Sequence, residues 1–336
     1  MKKSYLRPLD VKHGRIDMNH GAGGRASAQL VDELFAPAFD NPALREGDDG
    51  ARLDPPPGCR LVMATDAHVV SPLFFPGGDI GCLAVHGTVN DVAMLGATPQ
   101  WLSASFILEE GLPLADLKRI VDSMAAAARD AGVAIVTGDT KVVERGKGDG
   151  VFITTTGVGQ LPPGRRIGGA MARAGDVVLV SGTVGDHGVA VLSQRAALDF
   201  ETTITSDTAA LHGLVAQLLA ALPEGAVHVL RDPTRGGLAT TLNEIAQQSG
   251  VGLQLDEAAI PVHPQVEAAC ELLGLDPLYI ANEGKLVAIV DAAQADAALA
   301  ALRAHSLGAQ AACIGVVRDD PHRFVQMATR LGGQRV

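Results

Sequence analysis

Short β-branched runs alternate with longer amphipathic segments along most of this chain, and that alternation limits the fold to α/β or α+β architecture. Leu61–Ala64, Trp101–Leu108, Val133–Val136 and Val151–Val158 read as strands, and between them Ile80–Leu95 and Leu114–Ala131 read as helices. In the second helix Leu114, Leu117, Ile120, Val121, Met124 and Ala128 share one face, and Gly132 is placed to stop it. In the first, Asp79 is available as N-cap, with Gly96 and Pro99 beyond the end. The turn-rich stretch Leu161-Pro-Pro-Gly-Arg-Arg166 breaks the pattern, so a domain boundary is expected there, dividing residues 1–164 from 165–336. A new set follows: strand Asp176–Ser181, helices Asp186–Ala197, Thr208–Ala221 and Thr234–Ser249, strand Leu286–Val290, and a helix-plus-strand unit from Ala292 to Val317.

At 336 residues and 47% hydrophobic, the chain can bury two cores. Its net charge of −11 has the wrong sign for a groove that neutralises nucleic-acid phosphates, so nucleic acid is not an expected partner. Cys59, Cys82, Cys270 and Cys313 lie far apart and form no CxxC, which argues against zinc or iron–sulfur binding. Each is read as a small buried apolar side chain. The opening residues are basic without an apolar run behind them, so no signal peptide is expected. No segment approaches the roughly 20 apolar residues that span a bilayer. The expected setting is the cytoplasm, without membrane contact.

The aspartates are the most informative feature. Asp66 follows the strand Leu61–Thr65, Asp139 follows Val133–Val136, and Asp232 precedes Pro233 where a helix is expected to begin. Those three are read at element ends, where α/β folds collect ligands. Asp91 instead lies inside the otherwise apolar helix, and a carboxylate there is costly unless paired or metal-bound. Singly, each has an ordinary structural use: Asp91 as partner of a backbone amide, Asp232 as an N-cap, Asp139 as a turn residue. Together, beside glycines, they point to a shared ligand. Mg²⁺ takes oxygen donors and bridges carboxylates to phosphates, and an acidic protein needs such cations to approach a triphosphate.

Glycine-rich turns can supply phosphate-binding N–H groups. The chain offers His20-Gly-Ala-Gly-Gly24 ahead of a helix, Ser181-Gly-Thr-Val-Gly-Asp-His-Gly188, and Thr234-Arg-Gly-Gly237. Neither a P-loop nor a complete GxGxxG is present. Lys141 follows Asp139 by two, so both can face one side of a strand, and Glu283 sits in the turn Asn282-Glu-Gly-Lys285 ahead of a strand.

Taken in order, Gly77-Gly-Asp-Ile-Gly81, Asn90-Asp-Val-Ala93, Phe106-Ile-Leu-Glu-Glu-Gly-Leu-Pro113, Ile135-Val-Thr-Gly-Asp-Thr-Lys-Val-Val143, Val180–Gly188, Arg231–Gly237 and Asn282–Lys285 closely resemble one family. It is the HypE family of nickel–iron hydrogenase maturation factors, in the superfamily of aminoimidazole ribonucleotide synthetase, thiamine-phosphate kinase and selenophosphate synthetase. The match runs from about His20 to the end. The resemblance implies a two-domain α/β fold of the aminoimidazole-ribonucleotide-synthetase type. Its N-terminal domains pair into a shared β-barrel in a homodimer, and its C-terminal domain closes over ATP.

The resemblance further implies that Gly21, Gly23 and Gly24 lie over the triphosphate, with Asn90, Thr140, Arg235 and Gly236 also binding the nucleotide. Asp66, Asp91, Asp139 and Asp232 then match the family's Mg²⁺- and phosphate-binding aspartates. The implied reaction is ATP-dependent dehydration of a carbamoyl group, carried as a thiocarbamate on a C-terminal cysteine, to a thiocyanate that supplies cyanide for the hydrogenase iron. Lys141 and Glu283 are the expected polar pair at the elimination step, and Asp91 counts among the catalytic groups. Implied partners are the carbamoyltransferase HypF and the HypC–HypD scaffold. Family members end in Pro-Arg-Ile-Cys, whereas this chain ends Leu331-Gly-Gly-Gln-Arg-Val336, and the expectation is a truncated tail. Two other readings stand beside this one. Another small-molecule kinase of the superfamily would phosphorylate added thiamine phosphate, and a nucleotide-binding scaffold would release no phosphate in the steady state.

Overall fold

The computed structural model describes residue 5 and residues 7–46, 50–194 and 203–336. Four strands, Arg60–His68, Val151–Leu161, Thr98–Glu109 and Ala134–Val143, lie side by side in that order. The first three are antiparallel neighbours. The last two are parallel, joined through the helix Leu114–Asp130, which buries Leu117, Ile120, Val121 and Met124, the face read from its spacing. Asp79 caps the helix Ile80–Met94 by accepting from the N–H groups of Gly81 and Cys82. This helix is apolar all round because it is covered all round. It lies on the sheet and against Leu114–Asp130, and its last residues, Ala93 and Met94, enter the core of the second unit.

That unit is built on seven strands in the order Gln334–Arg335, Val325–Ala328, Gly252–Asp256, Ala312–Arg318, Val177–Val180, Val287–Val290 and Val227–Arg231. Val325–Ala328 runs parallel to Gly252–Asp256, and the other pairings are antiparallel. Leu238, Leu242 and Ile245 of the helix Gly237–Ser249 cover one face. The helices His212–Ala221 and Ala295–Arg303 cover the other. Val287–Val290 is buried throughout, which is why it reads as a continuous apolar run.

Several expectations change. Asp66 and Asp139 lie inside strands rather than after them, because both strands continue through polar residues where one sheet face is uncovered. The helix expected from Thr208 starts at His212, since Asn90 engages the preceding backbone at Ala209 and Leu211. The helix expected from Thr234 starts at Gly237. Gly236 and Gly237 have φ of +75° and +63°, and a Cβ on Gly237 would stand 2.5 Å from the Leu278 carbonyl oxygen. Asp232 is therefore not that helix's N-cap. The helix from Asp186 reaches Leu192, and its expected end at Arg195–Ala197 lies outside the described residues. Cys270 is buried as expected, but Cys313 is exposed on its strand. Val227–Arg231, Gly252–Asp256, Val325–Ala328 and the helix Pro264–Leu273 were not read from the pattern.

Candidate active site

Asp66 and His68 stand two apart on one strand and so face the same way, toward the helix Ile80–Met94. Gly87 makes room for them: a Cβ there would lie 2.8 Å from His68 Nε2 and 3.3 Å from Asp66 Oδ2. Asp91 follows one helical turn later on the same helix face. The second unit supplies Asp232, just after the strand Val227–Arg231, and Glu283, in the turn before Val287–Val290. Four carboxylates from four separate segments thus meet where the two units touch.

Their electrostatics record the crowding. Burial, then Asp232 and Asp66, pushes Asp91 up to about 7, with Arg231 and Arg235 offsetting only part. Burial also lifts Asp232 to about 6, aided by Asp66. Glu283 is held well above the carboxylate range by burial, then by Asp232, Asp207, Asp66 and Asp91. His68 is only 6% exposed, its Nε2 stands 3.3 Å from Asp66 Oδ2, and burial lowers it against the pull of that carboxylate. Among the described residues no three His, Cys, Asp or Glu side chains form a closed metal site. The carboxylates nevertheless fit a divalent cation of hard character. They are all-oxygen donors whose mutual repulsion such a charge relieves, and a site that shares its cation with phosphates need not close on its own.

The remaining predicted residues gather elsewhere. Across the four strands Asp66 pairs with Thr155, Thr155 with Ala104, and Ala104 with Gly138. Three strand spacings of about 4.8 Å put Asp139 roughly 14 Å from Asp66. There Asp139 pairs with Lys141 at 2.8 Å, with side chains 61% and 63% exposed. The Lys141 contact, with the Thr140 N–H, lowers Asp139 below its usual range. Gly21 packs on this strand, where a Cβ would meet the Val142 nitrogen at 2.6 Å. Gly24 starts the helix Arg25–Leu30, and Gly23 stands in open space. His20, Gly21, Gly23 and Asp139–Lys141 rim a cavity of about 490 Å³ floored by Phe35, Phe106 and Ile135. No hydrogen bond or ion pair joins Lys141 to Glu283 among the described residues.

Asn90 is 1% exposed and works between the units. It accepts from Leu211 N–H at 2.7 Å and donates to the carbonyls of Ala209 and Glu283. Arg235 lies exposed beside Asp91, and Gly236 forms the left-handed turn behind it. Sequence reasoning missed His68, Asp186, Asp207 and Lys285. Lys285 ends a noted motif, whereas Asp207 sits in a stretch with no readable pattern.

Two family models match the chain: AIR synthase related protein, N-terminal domain, over residues 47–161, and its C-terminal domain over residues 173–328. The fold is thus that of an AIR-synthase-related protein. Carbamoyl dehydratase HypE of Cupriavidus necator is 71% identical over 336 residues, covering 100% of this chain and 95% of that protein. A crystal structure of the hydrogenase maturation protein HypE in complex with ATP superposes with a TM-score of 0.90 at 53% identity, covering 95% of this chain and 96% of that one. A HypE–HypF complex contains a chain similar at 0.79 and 50% identity, covering 91% and 98%. The chain belongs to the HypE family of carbamoyl dehydratases.

Proposed function

We propose that this chain is an ATP-dependent carbamoyl dehydratase of hydrogenase maturation, converting a cysteine S-carboxamide to a thiocyanate. The convergence of Asp66, Asp91, Asp232 and Glu283 at the junction of the two units carries this reading. Expelling a carboxamide oxygen as hydroxide is unfavourable, and phosphorylation converts it to a leaving phosphate. The amide oxygen attacks the γ-phosphorus, ADP departs, and one N–H proton is lost. The resulting imidate phosphate then loses its second N–H proton as the C–O bond breaks, leaving S–C≡N and inorganic phosphate.

We assign Asp139, about 14 Å from Asp66 across the sheet, to a separate ion at the far phosphates, while Asp66, Asp91 and Asp232 share Mg²⁺ in the cleft. Bound there, the ion supplies positive charge to the phosphoryl group undergoing transfer. Gly21, Gly23 and Gly24, with Asn90, Thr140, Arg235 and Gly236, bind and orient the nucleotide. Its length lets one molecule engage both the cleft and the strand bearing Asp139. Glu283, sheltered among carboxylates, moves a proton in the elimination, and Lys141 leaves its pairing with Asp139 to serve the same step. The units divide between Gly164 and Arg165. Leu61, Met63 and Ile107, 53%, 73% and 40% exposed, stand among Thr65, Thr154 and Thr156 on the uncovered face of the first sheet, and these exposed apolar side chains support its pairing with a second copy as a β-barrel homodimer. HypF and a HypC–HypD scaffold are the proposed partners and the cytoplasm the proposed compartment; no described helix is long and apolar enough to cross a membrane.

With the family's Pro-Arg-Ile-Cys tail present and carbamoylated, the protein, given ATP and Mg²⁺, is expected to form one thiocyanate per ADP released. Phosphorylation of thiamine phosphate without thiocyanate would instead support the kinase alternative.

A further inference from the structure

Beneath Glu283 lies a buried ionic group that the chemistry above does not use. Lys285 is 9% exposed, and its Nζ donates to Asp207 Oδ2 at 3.0 Å while standing 3.7 Å from Asp186 Oδ2. Asp207 turns its other oxygen to the backbone of Glu283, accepting from that N–H at 3.0 Å. Asp186 Oδ2 accepts from Thr183 Oγ1 at 2.6 Å, and its Oδ1 is buried with no partner among the described residues. The lysine stem packs under the same turn, where a Cβ on Gly182 would lie 3.1 Å from its Cε.

This group is the meeting point of the segments that build the cleft. Asn282, beside Glu283, accepts from Gly185 N–H and donates to the Pro233 carbonyl, next to Asp232. Asn90, next to Asp91, reaches the Glu283 carbonyl. Glu283 is therefore fixed through its backbone at two atoms. Its N–H depends on Asp207, and Asp207 is neutralised by Lys285. Removing one partner of a buried pair leaves the other uncompensated, which displaces whatever it holds.

We propose that Lys285 is a positioning residue for the elimination step, holding Glu283 in place through Asp207. The inference rests on the assignment of Glu283 given above. Its test is a single-turnover reaction of the full-length carbamoylated protein with Mg-ATP, in which ADP and thiocyanate are both counted. For Lys285→Met the thiocyanate formed per ADP should fall about 10²-fold, the size expected when a reacting group shifts by about 1 Å. A ratio equal to the parent's, whether both products persist or both are lost together, would overturn the proposal. If Lys285→Met does not fold, Asp207→Asn serves. It keeps an acceptor for the Glu283 N–H but turns a donor toward Lys285, and the ratio should fall about tenfold; an unchanged ratio again overturns it. Glu283→Gln separates the two layers. Normal thiocyanate in Glu283→Gln sinks the Glu283 assignment and this inference with it. A block in Glu283→Gln beside a normal ratio in Lys285→Met sinks this inference alone.

Discussion

The cleft between the units and the strand bearing Asp139 carry the same residue types under opposite conditions. In the cleft, burial with Asp232 and Asp66 pushes Asp91 up to about 7, and burial with Asp66 lifts Asp232 to about 6. On the strand, Asp139 lies in solvent and its carboxyl is held low by Lys141. The first arrangement costs stability until a cation joins it, so the fold holds free energy that ligand binding releases. The second is an exposed ion pair of a kind that contributes about 0–1 kcal/mol. Acidic residues in both places are compatible with phosphate chemistry, but only the cleft is built against the protein's own stability.

The sharpest way to break this contrast is Asp91→Asn. Mg-dependent ATP turnover, read as phosphate release, should fall about 10³-fold. The metal-free protein should meanwhile gain on the order of 1–2 kcal/mol in thermal unfolding, because a carboxylate held near 7 folds at a cost. Full turnover in this variant would remove the cleft from the mechanism. Asp139→Asn comes next, with turnover reduced about 10²-fold and stability changed by less than about 0.5 kcal/mol. A large stability change there would show that the strand is not the relaxed region described.

The pH dependence of the metal-free protein reads the contrast without mutation. A carboxyl whose folded pKa is raised binds more protons folded than unfolded, so the stability it contributes is lost as pH rises through that value. Asp91 and Asp232 should therefore make the unfolding temperature fall by about 2 °C between about pH 5 and 8, and Asp91→Asn should flatten the slope. On the acid side, His86 is held neutral by burial, down to about 4, with Nδ1 3.0 Å from Thr208 Oγ1. Its contribution is lost as pH drops below about 6.5 toward 4. The effect on stability is small for Lys141→Ala, which should move unfolding by less than about 0.5 kcal/mol while stopping thiocyanate formation.

The contrast was only half legible in the sequence. Asp91 declared itself because a carboxylate in an apolar helix has no cheap explanation, and Asp79 and the Leu117–Met124 face followed from capping and period. Asp66 and Asp139 looked alike, each trailing a β-branched run. What separates them is strand order, which places Asp66 against Gly87 and Asp139 three strands away. That order comes from pairings between distant segments, which local spacing does not encode. Asp207 and Lys285 were illegible for the same reason: their ion pair spans 78 residues. His68 was passed over because a histidine two residues along a strand carries no pattern until Gly87 is seen against it.

Isothermal titration of ATP into the protein, with and without Mg²⁺, bears most directly on the cleft. Uptake should depend strongly on magnesium in the parent and lose that dependence in Asp91→Asn. Equal ATP affinity in the parent with and without the metal would contradict it.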